Sequence, residues 1–184
     1  MSLTGRDRGG FFAGALALFF CAAALSPLSC GYRHPGEAAA DAPVWSVTIP
    51  VLKNRTTEPG LETLVTNDLI QSLSRYKRFS FTSGDGPALT LNGSIKSLFD
   101  YTSSRKAAGN ASERRVAITL SLRLVGKDGN VLWSTDSLSD YEDYPVVSGD
   151  FQATDSNRTQ AISAIATRLA EKARVHIEAQ CDDL

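Results

Sequence analysis

Strict alternation of apolar and polar positions dominates the middle of the chain. Val116, Ile118, Leu120, Leu122 and Leu124 fall on one face of a strand predicted over Arg114–Val125. Ala117, Thr119, Ser121 and Arg123 fall on the other, the pattern of a sheet with one packed side. Gly126-Lys127-Asp128-Gly129-Asn130 follows, and its Gly and Asn accept the positive φ of a tight hairpin. Val131 and Trp133 open a return strand that fades near Tyr141. Upstream, Leu89, Leu91, Gly93 and Ile95 alternate, but Leu98 and Phe99 are out of phase, which predicts a bulge or strand end. Trp45, Val47, Ile49 and Val51 form another half-buried strand, with Pro50 suited to an edge or an end. Phe79 and Phe81 mark a short strand closed by the turn Ser83–Pro87.

Two segments switch to helical spacing. Leu61, Leu64, Val65, Leu69, Leu73 and Tyr76 predict a helix over 59–76, with Thr57 as its cap and Pro59 in its first turn. Ile162, Ile165, Ala166, Leu169, Ala173 and His176 form one stripe of a long helix over 152–179, whose alanines let a sheet approach closely. Residues 53–60, 102–113 and 142–150 read as polar connections. The order is strand, helix, a run of strands, helix. It predicts an α+β two-layer sandwich, a mixed or antiparallel β-sheet with two helices packed on one face and a polar face left open.

The N-terminus breaks this pattern. Arg6 and Arg8 precede Phe11–Leu25, fifteen residues without a charge or a strong polar group. Spanning a bilayer takes about 20 residues, so this is the apolar core of a signal peptide. Ser29 then puts a small residue just before Cys30, as lipoprotein signal peptidases require. Cys21 follows the bulky Phe20 and does not fit. Residues 1–29 are therefore expected to be a lipoprotein signal peptide, 30–43 a lipidated N-terminus and tether, and 44–184 one α/β domain. A diacylglyceryl thioether and an N-acyl chain on Cys30 would bury many methylenes, each contributing about 0.8 kcal/mol of anchoring. Gly31 follows, where lipoproteins kept in the inner membrane usually carry Asp, so export to the outer membrane is expected.

Composition excludes more than it assigns. The chain has 19 basic and 20 acidic residues, net −1, a poor balance for displacing counterions from nucleic acid. Cleavage before Cys30 removes two bases and one acid, leaving 17 and 19, net −2. With Cys30 acylated, Cys181 is the one free thiol, expected to be exposed near a frayed C-terminus. His34 lies in the tether, and His176 is expected to be a satisfied core histidine. These residues do not make a metal site, and Asp140, Glu142 and Asp143 are expected to form a solvated loop. No phosphate-binding glycine loop or nucleophile elbow occurs, so the inventory argues against an enzyme and for no cofactor beyond the acyl lipid. Arg114 and Arg115 open the long strand and point to opposite faces. Arg105 and Lys106 in the 102–113 connection, and Lys127 in the hairpin turn, are candidate anion-binding residues. Antiparallel pairing would put the two groups at opposite ends of the sheet.

The run Cys30-Gly31-Tyr32-Arg33, then the segment Ile49-Pro50-Val51-Leu52-Lys53-Asn54-Arg55-Thr56-Thr57-Glu58-Pro59-Gly60-Leu61-Glu62, resembles the LPS-assembly lipoprotein family LptE. Leu91-Asn92-Gly93-Ser94-Ile95, the long alternating strand, Gly129–Trp133 and the Ala-rich final helix follow in that family's order, across nearly the whole mature chain. The resemblance implies an outer-membrane lipoprotein, lipid-anchored on the periplasmic side. It implies a protein that plugs the LptD β-barrel, assists its assembly, binds lipopolysaccharide (LPS) and helps insert it into the outer leaflet. Arg105, Lys106 and Lys127 are then the candidates for LPS phosphates, while Asn54 and Thr56 are expected to shape a turn. The alternative is an outer-membrane lipoprotein that activates a periplasmic peptidoglycan synthase.

Overall fold

Alternation at 116–124 builds the centre of a six-stranded mixed sheet. The computed structural model describes residues 44–81, 88–105 and 111–182. The signal segment 1–29, Cys30, His34 and the tether lie outside them, as do the turn at 83–87 and Lys106. The elements are β1 (Trp45–Thr48), β2 (Lys53–Asn54), α1 (Leu61–Leu73), β3 (Phe79–Ser80), β4 (Ala88–Arg105), β5 (Ala111–Gly126), β6 (Val131–Pro145) and α2 (Phe151–Asp182). The sheet order is β3-β1-β4-β5-β6, with β2 also on β4. β1 runs parallel to β3 and β4, and β2 runs parallel to β4. β4, β5 and β6 form an antiparallel meander. This is the expected α+β sandwich.

Val116, Ile118, Leu120, Leu122 and Leu124 are all buried. Against them lie Leu61, Val65, Leu69 and Leu73 of α1 and Ile165, Ala166, Leu169, Ala173 and Ile177 of α2. Each fully buried Leu or Ile contributes about 1.5–3 kcal/mol, so one face of the meander and the two helices hold the fold. The stripe on α2 runs on to Cys181, which is fully buried. The expectation of an exposed thiol is therefore wrong, because the helix continues to Asp182 and keeps that position on its apolar side. His176 is the opposite case: it is exposed, with its ring stacked on Trp133 at 6.0 Å, one position off the buried Ile177.

The first strand stops early. Pro50 cannot donate to a ladder, so the chain leaves β4 after Thr48 and rejoins it at Lys53. The alternation slips there: Val51 is 63% exposed, and Leu52 enters the core instead. The Leu52 amide donates to Thr66 Oγ1 at 3.1 Å, which satisfies the buried N–H. The helix predicted over 59–76 is shorter at both ends. Gly60, at φ 80°, occupies its N-cap position instead of Thr57, and Tyr76 lies beyond it, edge-on to Phe79.

The expected bulge is present, displaced to Lys96 between Ile95 and Ser97. It reverses the phase of β4, so Leu98 and Asp100 join the helix-covered face while Ser97, Phe99 and Tyr101 turn outward. The predicted polar connection at 102–113 is largely strand. Tyr101 pairs with Arg115, Thr102 with Arg114 and Ser104 with Glu113, so polar side chains decorate a paired arm. β6 likewise continues past Tyr141 to Pro145. The solvated acidic loop is thus also corrected: Asp140 and Glu142 face α2 and pair with Arg168, while Asp143 faces outward to Arg115.

Candidate functional site

The basic candidates sit where the antiparallel register sends them. Arg105 ends β4 against Ala111, and Lys127 lies exposed in the turn after Gly126. β5 separates these ends by its whole length, about 50 Å at 3.4 Å per residue. They are two locations, as the sequence implied. Asn54 and Thr56 do shape a turn. The Asn54 amide donates to Glu58 O (2.7 Å) and Glu62 Oε2 (2.8 Å), and Asn54 Oδ1 accepts from the Thr56 amide and hydroxyl.

The sheet face away from the helices is uncovered among the described residues. Across β4, β5 and β6 it carries the row Ser97–Thr119–Ser139, then Phe99–Ala117–Tyr141, then Tyr101–Arg115–Asp143. Hydroxyls occupy the middle, and aromatics crowd toward the Arg105 end. Phe99, Tyr101 and Tyr141 are 64%, 48% and 53% exposed. Arg115 lies 4.1 Å over the Tyr141 ring and forms two hydrogen bonds to Asp143, at 2.8 and 2.7 Å. That fixes its guanidinium on the open face.

Behind the same end is a charge network that sequence reading missed. Asp100 Oδ1 accepts from Arg114 Nε at 2.9 Å, and Oδ2 accepts from Arg158 Nε at 3.0 Å. The Tyr144 hydroxyl reaches both oxygens. Arg158 also forks onto Glu58, at 3.0 and 2.6 Å. One carboxylate thus ties β4, β5, β6 and α2 together, and Arg158 extends the tie to the loop before α1. Burial favours the neutral Asp100 carboxyl, but the Arg114, Tyr144 and Arg158 donors outweigh it and hold its pKa below the ordinary range. Hydrogen bonding from Arg158 likewise lowers Glu58. Burial, with the Asp100 bond, pushes Tyr144 up to about 12.

Arg114 also borders an open hollow of about 640 Å³ with Val146, Val147, Phe151 and Thr154 on its walls. Gly149, at φ 79°, turns the chain there, and Asp150 caps α2 by accepting from the Ala153 amide at 2.9 Å. The hollow joins a guanidinium to exposed apolar side chains, a combination suited to an amphiphilic anion. Among the described residues no group of three or more His, Cys, Asp or Glu side chains could hold a metal ion.

Geometry defines the class first: a small two-layer α+β binding domain with an uncovered sheet face and a basic, aromatic-rimmed end. The family model described as "LptE: Lipopolysaccharide-assembly" matches residues 45–174, and the chain belongs to that family. It is an LPS-assembly lipoprotein associated with the outer membrane. Among solved structures, a lipoprotein of Caulobacter crescentus is 11% identical with TM-score 0.53, covering 74% of this chain and 90% of its own. A protein of Chlamydia trachomatis is 7% identical with TM-score 0.52, covering 78% and 100%. Rare lipoprotein B of Shewanella oneidensis is 15% identical with TM-score 0.46, covering 73% and 99%. At such identities the first two bear on the fold alone. No curated protein sequence matches the chain. Among the described residues no helix is long and apolar enough to cross a membrane.

Proposed function

We propose that this domain is a non-catalytic plug and assembly partner for the LptD β-barrel, held at the periplasmic side of the outer membrane by acyl groups on Cys30. The observation that carries this reading is the uncovered, hydroxyl-rich sheet face on a member of this family. Barrel lumens of this kind are polar, and the Ser, Thr, Tyr and Arg side chains that surround Phe99 on this face can exchange water for lumen donors and acceptors. The same reading has the domain bind LPS and help place it in the outer leaflet. Arg105, which ends β4 beyond the aromatics, and Lys106 would meet phosphates, while Val146, Val147 and Phe151 of the Arg114 hollow meet acyl chains. Lys127 would act separately at the other end.

Co-purification tests the proposal. After mild detergent extraction, the full chain should bring down a large outer-membrane barrel in a one-to-one complex. Recovery of a peptidoglycan synthase in place of a barrel would transfer the function to cell-wall growth and overturn the plug.

A further inference from the structure

At 15 residues β6 is far longer than the common strand of about 5–6, and it ends the sheet. A bare edge of that length is a template for a further strand. The Val146 amide donates to Ser112 O, which fixes the phase of the ladder. Leu138, Asp140, Glu142 and Tyr144 therefore turn their N–H and C=O toward β5, and Ser139, Tyr141, Asp143 and Pro145 turn theirs outward.

Side chains already occupy much of that outward row. Asp140 Oδ1 accepts from the Tyr141 amide at 2.8 Å, and Arg168 Nη2 donates to Tyr141 O at 2.8 Å. Lys172 Nζ donates to Ser139 O at 3.3 Å, and Asn157 Nδ2 donates to Pro145 O at 3.1 Å. Pro145 has no N–H to offer. The second Asp140 oxygen holds both cations in place, 3.0 Å from Arg168 Nε and 3.1 Å from Lys172 Nζ. Burial favours the neutral Asp140 carboxyl, but the Arg168, Tyr141 and Lys172 donors outweigh it and keep its pKa below the ordinary range. Nearer its start β6 carries one extra residue at each of two bulges, between Thr135 and Leu138 and between Val131 and Trp133. Such bulges bend an edge away from a straight partner.

We propose that Asp140, with Asn157, Arg168 and Lys172 of α2, closes the β6 edge against a second copy of this chain. A two-fold antiparallel meeting centred on Tyr141 would set each Ser139 opposite the other copy's Asp143 and join the two sheets into one. That meeting needs the N–H and C=O of Tyr141, and both are taken. Tyr141 also belongs to the open face, so joining would double the width of that face. The closure holds it to the width of one domain, whether or not a barrel covers it.

Amide exchange of the detergent-purified full chain, read residue by residue by NMR, tests the closure without any substitution. Corrected for sequence, the Tyr141 amide should exchange at least tenfold more slowly than that of Asp143, its outward neighbour. Equal rates overturn the proposal. Sedimentation velocity tests the second copy. Wild type should be monomeric, while Asp140→Ala and Arg168→Met/Lys172→Met should each dimerise at least tenfold more tightly than wild type. Arg174→Met removes ion pairs elsewhere on α2 and should stay monomeric. Adding Tyr141→Pro to Asp140→Ala deletes the outward N–H and should restore the monomer. Monomeric Asp140→Ala and Arg168→Met/Lys172→Met, a dimer in Arg174→Met, or a dimer that survives Tyr141→Pro overturns the assignment.

Discussion

Replacing Arg158 by Met keeps most of the aliphatic stem and deletes the guanidinium that ties Glu58 to Asp100. Three charged hydrogen bonds disappear, at 3.0 Å to Asp100 and at 3.0 and 2.6 Å to Glu58. The side chains are 22%, 17% and 30% exposed, between the surface and buried regimes. Surface pairs contribute about 0–1 kcal/mol, and breaking a buried pair costs about 3–5. Asp100 keeps Arg114 and Tyr144, so only Glu58 loses its main partner. A cost of about 2 kcal/mol follows, or roughly 6–10 °C in melting temperature for a domain of this size. Both carboxylates have lowered pKa values, so their stabilisation is complete above the unfolded-state values near 4 and fades as pH falls through the lower folded values. Urea unfolding followed by tryptophan fluorescence, stepped from neutral pH into acid, should show the gap between wild type and Arg158→Met narrowing. A cost under about 0.5 kcal/mol at neutral pH, the level of an ordinary surface change, would refute the clamp, as would a gap that does not depend on pH.

Other outcomes can be checked directly. Gly93→Ala should lose about 1–3 kcal/mol in denaturant unfolding, because its Cβ would press on the Ser121 carbonyl, which is backbone, as well as on Leu122. Cys30→Ser should move the protein from the membrane fraction to the soluble periplasmic fraction; unchanged partition would remove the acyl anchor. Charge reversal of Arg105 and Lys106 together should weaken LPS binding most at low salt. Binding equal to wild type would take that pair out of the site.

What could be read from the chain alone was what depends on local periodicity. The alternation of β5 and the stripe from Ile162 to Ala173 each report one face packed against one core, and both are present as written. Errors arose where a buried face is not apolar. Asp140 and Glu142 face α2, satisfied by Arg168 and Lys172, so the end of β6 carries no hydrophobic signal and resembles a loop. The arm at 102–105 and 111–113 is strand because its two halves pair with each other. Arg158 joins Glu58 across 100 residues and Asp100 across 58, separations that no short motif registers. Cys181 was misplaced because the charged tail after it suggested fraying, whereas its spacing from Ala173 and Ile177 continues the buried side of the helix. Lys53, Arg55 and Arg123 were visible one by one, but only strand register sets all three along one groove.

The single extra residue at Lys96 makes β4 two strands in one, with opposite sides turned to the helices before and after it. Deleting it would evert the outer half: Phe99 and Tyr101 would be driven beneath the helix layer, and Asp100 would be stranded in solvent away from both arginines. A change in chain length there is therefore far harder to accommodate than the exchange of one outward side chain, because it resets the facing of every residue from Ser97 to the end of the strand.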